Sequence, residues 1–180
     1  HGVRLAYTDE REAQHALDAG AMVIVYPTID SVEEAEEAVS WVKFPPDGRH
    51  SRGGGQRWSF YSDVPGGYRE TFNDNIVVIL MIETMDGVED VYEIAEVEGV
   101  DGIMIASSDL GNFSGYAQGD EQYEMIVDRV LDAAQSAGIQ ACGPLGWRAE
   151  REGFSCFQAG SEGSLIRRGY EAEMEATARP

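Results

Sequence analysis

Lysine is almost absent from this sequence: Lys43 is the only one, and it stands just ahead of Pro45 and Pro46 at the end of a helix-like segment. No well-placed amine is therefore left for Schiff-base chemistry. Cysteine is nearly as scarce, with Cys142 and Cys156 in strand-like apolar surroundings. Buried free thiols in a reducing cytoplasm are the first reading and a disulfide the second. No cysteine–histidine spacing of a zinc site occurs. No apolar run approaches the roughly 20 residues of a membrane span, and no basic-then-apolar leader opens the sequence, so a cytoplasmic location is expected. Cations as a class are few, 13 Lys and Arg against 33 Asp and Glu, for a net charge of −20. Such a surface repels nucleic acid and anionic membrane, which excludes both as expected partners. A halophilic adaptation accounts for it, since high ionic strength shortens self-repulsion to a few Å; a merely acidic soluble enzyme is the alternative.

What is present is an ordinary apolar fraction, 43% of 180 residues, enough for one domain with a substantial core. Apolar runs at residues 2–6, 21–26, 76–82, 102–106, 139–142 and 155–159 predict six strands. Helices are predicted at 9–19, 31–42, 120–137, 147–152 and 164–178. Another is predicted in the acidic segment after Glu83, where Val88, Val91, Ile94 and Ala95 recur at helical spacing. Strands alternating with helices argue a parallel α/β architecture in a single domain spanning 1–180. Between Pro46 and Asn75 no period is sustained, and so long a connector reads as a lid, a binding loop or a subunit contact. The glycine triplet at 53–55 is a phosphate loop only superficially, because no strand precedes it and no Gly-Lys-Ser/Thr follows.

The central unit, Ile76 to Gly115, carries a carboxylate just past each of two strands, Glu83 and Asp109. Parallel neighbours lie about 4.8 Å apart, so carboxylates leaving equivalent strand ends can reach one cation between them. Oxygen-only ligands suit Mg²⁺ or Mn²⁺. The alternative is that each acid caps the helix or turn that follows, Asp109 at Gly111. Arg4 leaves the first strand, with a surface ion pair as its alternative role. His15 reads as a mid-helix surface residue, and His50 as a loop residue whose alternative role is to approach the site. Trp147, after the GPLG turn, and Tyr26 with Pro27, at a strand end, are placed at the mouth of the site, or else in core or interface packing.

The run IETMDGVEDVYEIAEVEGVDGIMIASSDLGNFSG resembles the signature of the HpcH/HpaI aldolases, metal-dependent pyruvate aldolases related to the citrate lyase beta chain. VRLAYTDEREAQHALDAGAMVIVYPTIDSVEEAEEAV, VKFPPDGR and GFSCFQAGSEGSLIRRG extend the likeness over most of the chain. The resemblance implies a divalent ion, Mg²⁺ or Mn²⁺ with Co²⁺ possible, on Glu83 and Asp109. It implies Arg4 at the keto oxygen of a 2-oxo acid, pyruvate or oxaloacetate, and the backbone N–H groups of Ser108 and Asp109 at its carboxylate. By position rather than by the resemblance, Trp147 at the mouth reads as a contact to the aldehyde partner, with core or interface packing as the alternative. Asp18 occupies the place of an aspartate that acts with a base histidine of a neighbouring subunit, so a homo-oligomer with sites near the interfaces is implied. That histidine falls upstream of His1.

The implied fold is a TIM-barrel-like (β/α) fold. A closed barrel takes about 250 residues, and the likeness begins at Val3 in what would be the third strand. The first two β/α units are thus expected to be absent from this sequence. Two departures stand out: Ser107 lies in ASSDL where Gly-Pro-Ala-Asp-Leu is usual, and Met81 where a glutamine is usual. The second removes a polar group beside the expected metal. The expected activity is a carbon–carbon lyase acting through an enolate. The alternatives are a related enolate enzyme (acyl-CoA lyase, or oxaloacetate decarboxylation or cycloaddition) and a catalytically silent binding or scaffold subunit.

Overall fold

The structure, a computed structural model, describes residues 2–51 and 68–178; the glycine triplet at 53–55 and most of the unpatterned connector lie outside them. Six strands make one sheet: β1 (Gly2–Arg4), β2 (Val23–Tyr26), β3 (Val77–Ile82), β4 (Gly102–Ile105), β5 (Gln140–Pro144) and β6 (Cys156–Gln158). They lie in chain order and every neighbouring pair is parallel. When each strand pairs with its successor, right-handed crossovers put every connection on the same face. This is the winding of a curled, barrel-type sheet; a doubly wound sheet reverses its order and carries helices on both faces.

The sheet sorts its side chains accordingly. Ile24, Tyr26, Val78, Leu80, Ile82, Ile103 and Ile105 join the large core beneath the helices. Their alternates, Ile79, Met81, Met104 and Cys142, form a second, smaller cluster on the opposite face, with Val25, Ala106 and Cys156 against it. Register aligns Met81 with Met104, Met104 with Cys142 and Cys142 with Cys156, so this layer runs across four strands. The two cysteines are free, and burial pushes the Cys142 thiol well up. Glu83 lies two residues beyond Met81, hence on this inner face at the carboxyl end of β3.

The helices start where their caps dictate. α1 (Glu10–Asp18) opens at Asp9, whose side chain accepts from the Glu12 N–H, while Glu12 Oε2 reaches back to the amides of Ala6 and Tyr7. α2 (Val32–Val42) is capped by Ser31. Three expectations are corrected. The acidic segment after Glu83 is two short helices, α4 (Met85–Glu89) and α5 (Val91–Ala95), broken at Asp90. The turn expected at Gly111 is a helix, α6 (Ser107–Ser114), closed by Gly115 at φ 77°. Part of the unpatterned connector forms α3 (Tyr68–Asn75). α7 (Glu121–Ala137) buries Tyr123, Ile126, Val127, Val130 and Ala134 on one face, as its spacing predicts. α8 (Trp147–Glu150) and α9 (Glu162–Ala176) complete the described order, and no described helix is long and apolar enough to cross a membrane.

Among the glycines of the central unit, Gly87 has the closest neighbour. A Cβ there would lie 2.3 Å from the carbonyl oxygen of Ile29, a backbone atom that cannot swing aside. Gly87→Ala is expected to lower the unfolding free energy by about 1–3 kcal/mol, read as a drop in the urea midpoint at unchanged m-value.

Candidate active site

Beyond the carboxyl ends of the strands lies a cleft of about 900 Å³. Arg4, Glu83, Ser108 and Asp109 all line it, so the structure brings together four residues separated by up to 105 positions in sequence. Met81 and Ser107, the two departures from the family pattern, line it as well.

Glu83 is 5% exposed and held from one side only. Its Oε1 accepts from the Thr28 amide at 2.7 Å and from Thr28 Oγ1 at 2.6 Å; Oε2 has no partner among the described residues. No cation pairs with this carboxylate there either. A buried carboxylate with no counter-charge is costly, so an unpartnered carboxylate oxygen on a residue that lines the cleft is the donor chemistry a hard cation fits. Asp109, in the first turn of α6, contributes a second, exposed carboxylate without a protein partner among the described residues. Those residues contain no cluster of three or more metal-ligating side chains.

Thr28 is the residue that sequence reasoning missed. It sits at φ 48°, the only positive-φ non-glycine among the described residues, and a β-branched side chain is strained there by roughly 1–3 kcal/mol. Its neighbours hold it: Thr8 Oγ1 donates to the Pro27 carbonyl, the Ile29 amide donates to the Met81 carbonyl, and Thr84, the cap of α4, donates to Asp30. The loop after β2 is thereby clasped to the end of β3. No local pattern in PTID announces this; the signal would be a polar β-branched residue directly after a strand-end proline.

Arg4 is exposed, and its Nη1 donates to the Leu5 carbonyl at 2.9 Å. The rest of its fork has no partner among the described residues, which does not favour the surface-ion-pair alternative. The first turn of α6 begins at Ala106, which offers no side-chain cap, and Ser107, Ser108 and Asp109 of that turn line the cleft. Tyr123 fixes the turn from beneath, donating its hydroxyl to the Ser107 carbonyl at 3.0 Å, and burial raises that phenol to about 12.

Other expected residues lie elsewhere. Trp147 does not line the cleft and its expected substrate contact is corrected: it is 3% exposed, packed edge-on to Phe154 at 5.1 Å and under Arg151 at 4.3 Å, with its indole N–H donating to Gln118. Pro144, Leu145 and Gly146 form the wall instead. Tyr26 is fully buried and donates to the Ala38 carbonyl, while its neighbour Pro27 does line the cleft. Asp18 ends α1 outside this cleft, and its Oδ1 is buried without a partner among the described residues. His50 is 3% exposed between Phe44 and Phe72; burial lowers its pKa, and the charge of Asp18 opposes that shift. His15 lies on the exposed side of α1, as expected.

Known proteins are similar to this chain in sequence and in fold. A protein named hydroxypyruvate/pyruvate aldolase from Roseovarius nubinhibens is 36% identical over 146 residues, which cover 77% of this chain and 56% of that protein. A 4-hydroxy-2-oxo-heptane-1,7-dioate aldolase from Shigella sonnei is 31% identical over 145 residues, 76% of this chain and 55% of that one. The crystal structure of an HpcH/HpaI aldolase/citrate lyase family protein from Burkholderia cenocepacia superposes with a TM-score of 0.83 at 28% identity, over 98% of this chain and 73% of that one. The chain thus spans about half the length of the curated relatives it matches. The family described as HpcH/HpaI aldolase/citrate lyase matches residues 1–166, and it is to this family that the chain belongs.

Proposed function

We propose that the chain is the metal- and substrate-holding part of a divalent-metal-dependent carbon–carbon lyase of the pyruvate aldolase type, a cytoplasmic homo-oligomer built on one barrel-type domain. The observation that supports this is the meeting in one cleft of a half-anchored buried carboxylate, a second carboxylate and an arginine with free donors. Glu83 and Asp109 would hold Mg²⁺ or Mn²⁺, with Co²⁺ as a substitute, leaving the remaining positions to substrate and water. When bound, such an ion supplies Lewis-acid stabilisation of negative charge on the oxygens of a 2-oxo acid.

The chain's own residues do the rest. The amides of Ser108 and Asp109 would bind the carboxylate of pyruvate or oxaloacetate at the start of α6. Arg4 would direct its free donors at the keto oxygen and stabilise the charge that gathers there as the C3 proton leaves. C3 then bonds to the carbonyl carbon of an aldehyde, whose oxygen takes up a proton; cleavage is the reverse. The base comes from outside this cleft's lining, and Asp18, with its unpartnered buried oxygen, would orient it across a subunit interface.

The test is exchange of the pyruvate methyl protons in deuterated buffer, with and without Mg²⁺, Mn²⁺ or Co²⁺. Metal-dependent exchange is expected; none with any of the three ions would defeat the reading. Thr28→Val, which keeps shape but loses the Oγ1 donor, is expected to weaken Mn²⁺ binding by about 10- to 100-fold, measured by titration. The competing reading is a catalytically silent subunit, drawn from Met81, an apolar side chain beside Glu83. It requires Mn²⁺ affinity to be indifferent to Thr28 and Glu83 alike.

A further inference from the structure

Beneath the floor of the cleft, sulfur is concentrated in one row. Register sets Met81 beside Met104, Met104 beside Cys142 and Cys142 beside Cys156, on four successive strands and on one face of the sheet. Both of the chain's cysteines and two of its six methionines thus stand side by side. Two residues beyond each sulfur, on the same face, come Glu83, Ala106, Pro144 and Gln158, all of which line the cleft. Packing alone would accept any apolar residue at these positions. What the row adds is chemistry: two free thiols in direct register, Cys142 fully buried and Cys156 half-buried, with a thioether on the far side of the buried one.

Spacing and donor type select the ion. A metal–thiolate bond is about 2.3 Å, so an ion midway between two sulfurs spans about 4.6 Å, and neighbouring parallel strands lie about 4.8 Å apart. The Met104 side chain is unbranched and flexible enough to bring its sulfur to the same ion. No His, Asp or Glu joins the two cysteines in a group of three among the described residues. The oxygen ligands that Mg²⁺ and Mn²⁺ require are therefore missing, as is the four-ligand tetrahedron of zinc. Thiolate and thioether by themselves select Cu⁺. Burial, and after it the neighbouring Cys156, push the Cys142 thiol up. A thiol so raised is a slow nucleophile, which disfavours oxidation to a disulfide, whereas a coordinated soft ion displaces the proton outright.

We infer that Cys142, Cys156 and Met104 form a site for Cu⁺, the ion taking the place of two thiol protons, which pass to solvent. This site is separate from the carboxylates of Glu83 and Asp109 and does not depend on the aldolase reading.

The test is an anaerobic titration of the full chain with Cu⁺ against bicinchoninate, followed by copper K-edge X-ray absorption of the loaded protein. One ion per chain and a coordination shell of sulfur alone are expected. C142S and C156S should each weaken retention by at least about 100-fold, and M104L, which keeps the side-chain volume, by about 10-fold. C156S, at the half-buried position, carries the test if C142S fails to fold. Excess Mn²⁺ should not displace the copper. No retention by the parent, undiminished retention in C156S or M104L, nitrogen or oxygen neighbours at the copper, or displacement by Mn²⁺ would overturn the assignment. Absence of pyruvate proton exchange would leave this site standing, just as failure to hold Cu⁺ would leave the aldolase reading intact.

Discussion

Glu83→Gln is expected to abolish metal-dependent pyruvate exchange while leaving the protein folded. Glutamine keeps the volume of the side chain, and its Oε1 can still accept the Thr28 amide and hydroxyl that hold the carboxylate at 2.7 and 2.6 Å. The atom that changes is the bare one: Oε2 becomes an NH₂ that donates where an acceptor is required, and the negative charge disappears. Removing one of two protein charges from a divalent ion costs on the order of 4 kcal/mol at the effective dielectric of a partly buried site. That is about a thousandfold in affinity. Stability should move the other way or not at all, because a carboxylate 5% exposed with no cation beside it disfavours the unliganded fold. Mn²⁺ titration and an apo urea curve measure the two effects separately. A variant that bound Mn²⁺ normally would remove Glu83 from the metal site, and one that lost stability as well as metal would mark its role as structural.

How far the sequence alone discloses this site depends on whether each feature leaves a local trace. The strands that carry Glu83 and Asp109 were legible because both of their faces are buried: 76–82 and 102–106 read as unbroken apolar runs. The same uniformity hides which residues face the barrel interior, so the layer of Met81, Met104 and Cys142 emerges only from the register. Val88, Val91, Ile94 and Ala95 keep helical spacing through the break at Asp90, since the two short helices bury the same side. Composition masks α6, where Gly111, Asn112 and three serines depress helix propensity and the burial of Leu110 with the glycine cap decides the outcome.

Residue type leaves Trp147 at the mouth or in core packing, and the core prevails because a ring that large finds more contact there, against Phe154 and Arg151. The wall itself is the turn Pro144 to Gly146, which offers little but backbone. Thr28 leaves no such trace, because its partner, Glu83, lies 55 residues on and no local pattern marks a long-range pairing.

The second large effect is expected at Arg4, and it should differ in kind from that at Glu83. Arg4 is tied down by a single bond, Nη1 to the Leu5 carbonyl, and Leu5 is itself locked at 3% exposure with its amide donating to the Val25 carbonyl. The stem is thus fixed by β1 and β2, and the residue lines the cleft with the rest of its fork unpartnered among the described residues. No ion pair joins Arg4 to Glu83 among the described residues, so its removal leaves the carboxylate's own support intact. Arg4→Met is therefore expected to leave Mn²⁺ affinity within about threefold and to slow pyruvate proton exchange by about 10²- to 10³-fold, the cost of deleting one oriented donor to a developing oxyanion. Arg4→Lys keeps the charge but loses the planar fork, and should recover only part of the rate. If exchange and Mn²⁺ affinity fell together in Arg4→Met, the arginine would be holding the carboxylates apart or in place. If exchange alone fell, the charge on the keto oxygen would be the quantity Arg4 stabilises, and the cleft would divide its labour between carboxylates that hold the ion and an arginine that meets the enolate.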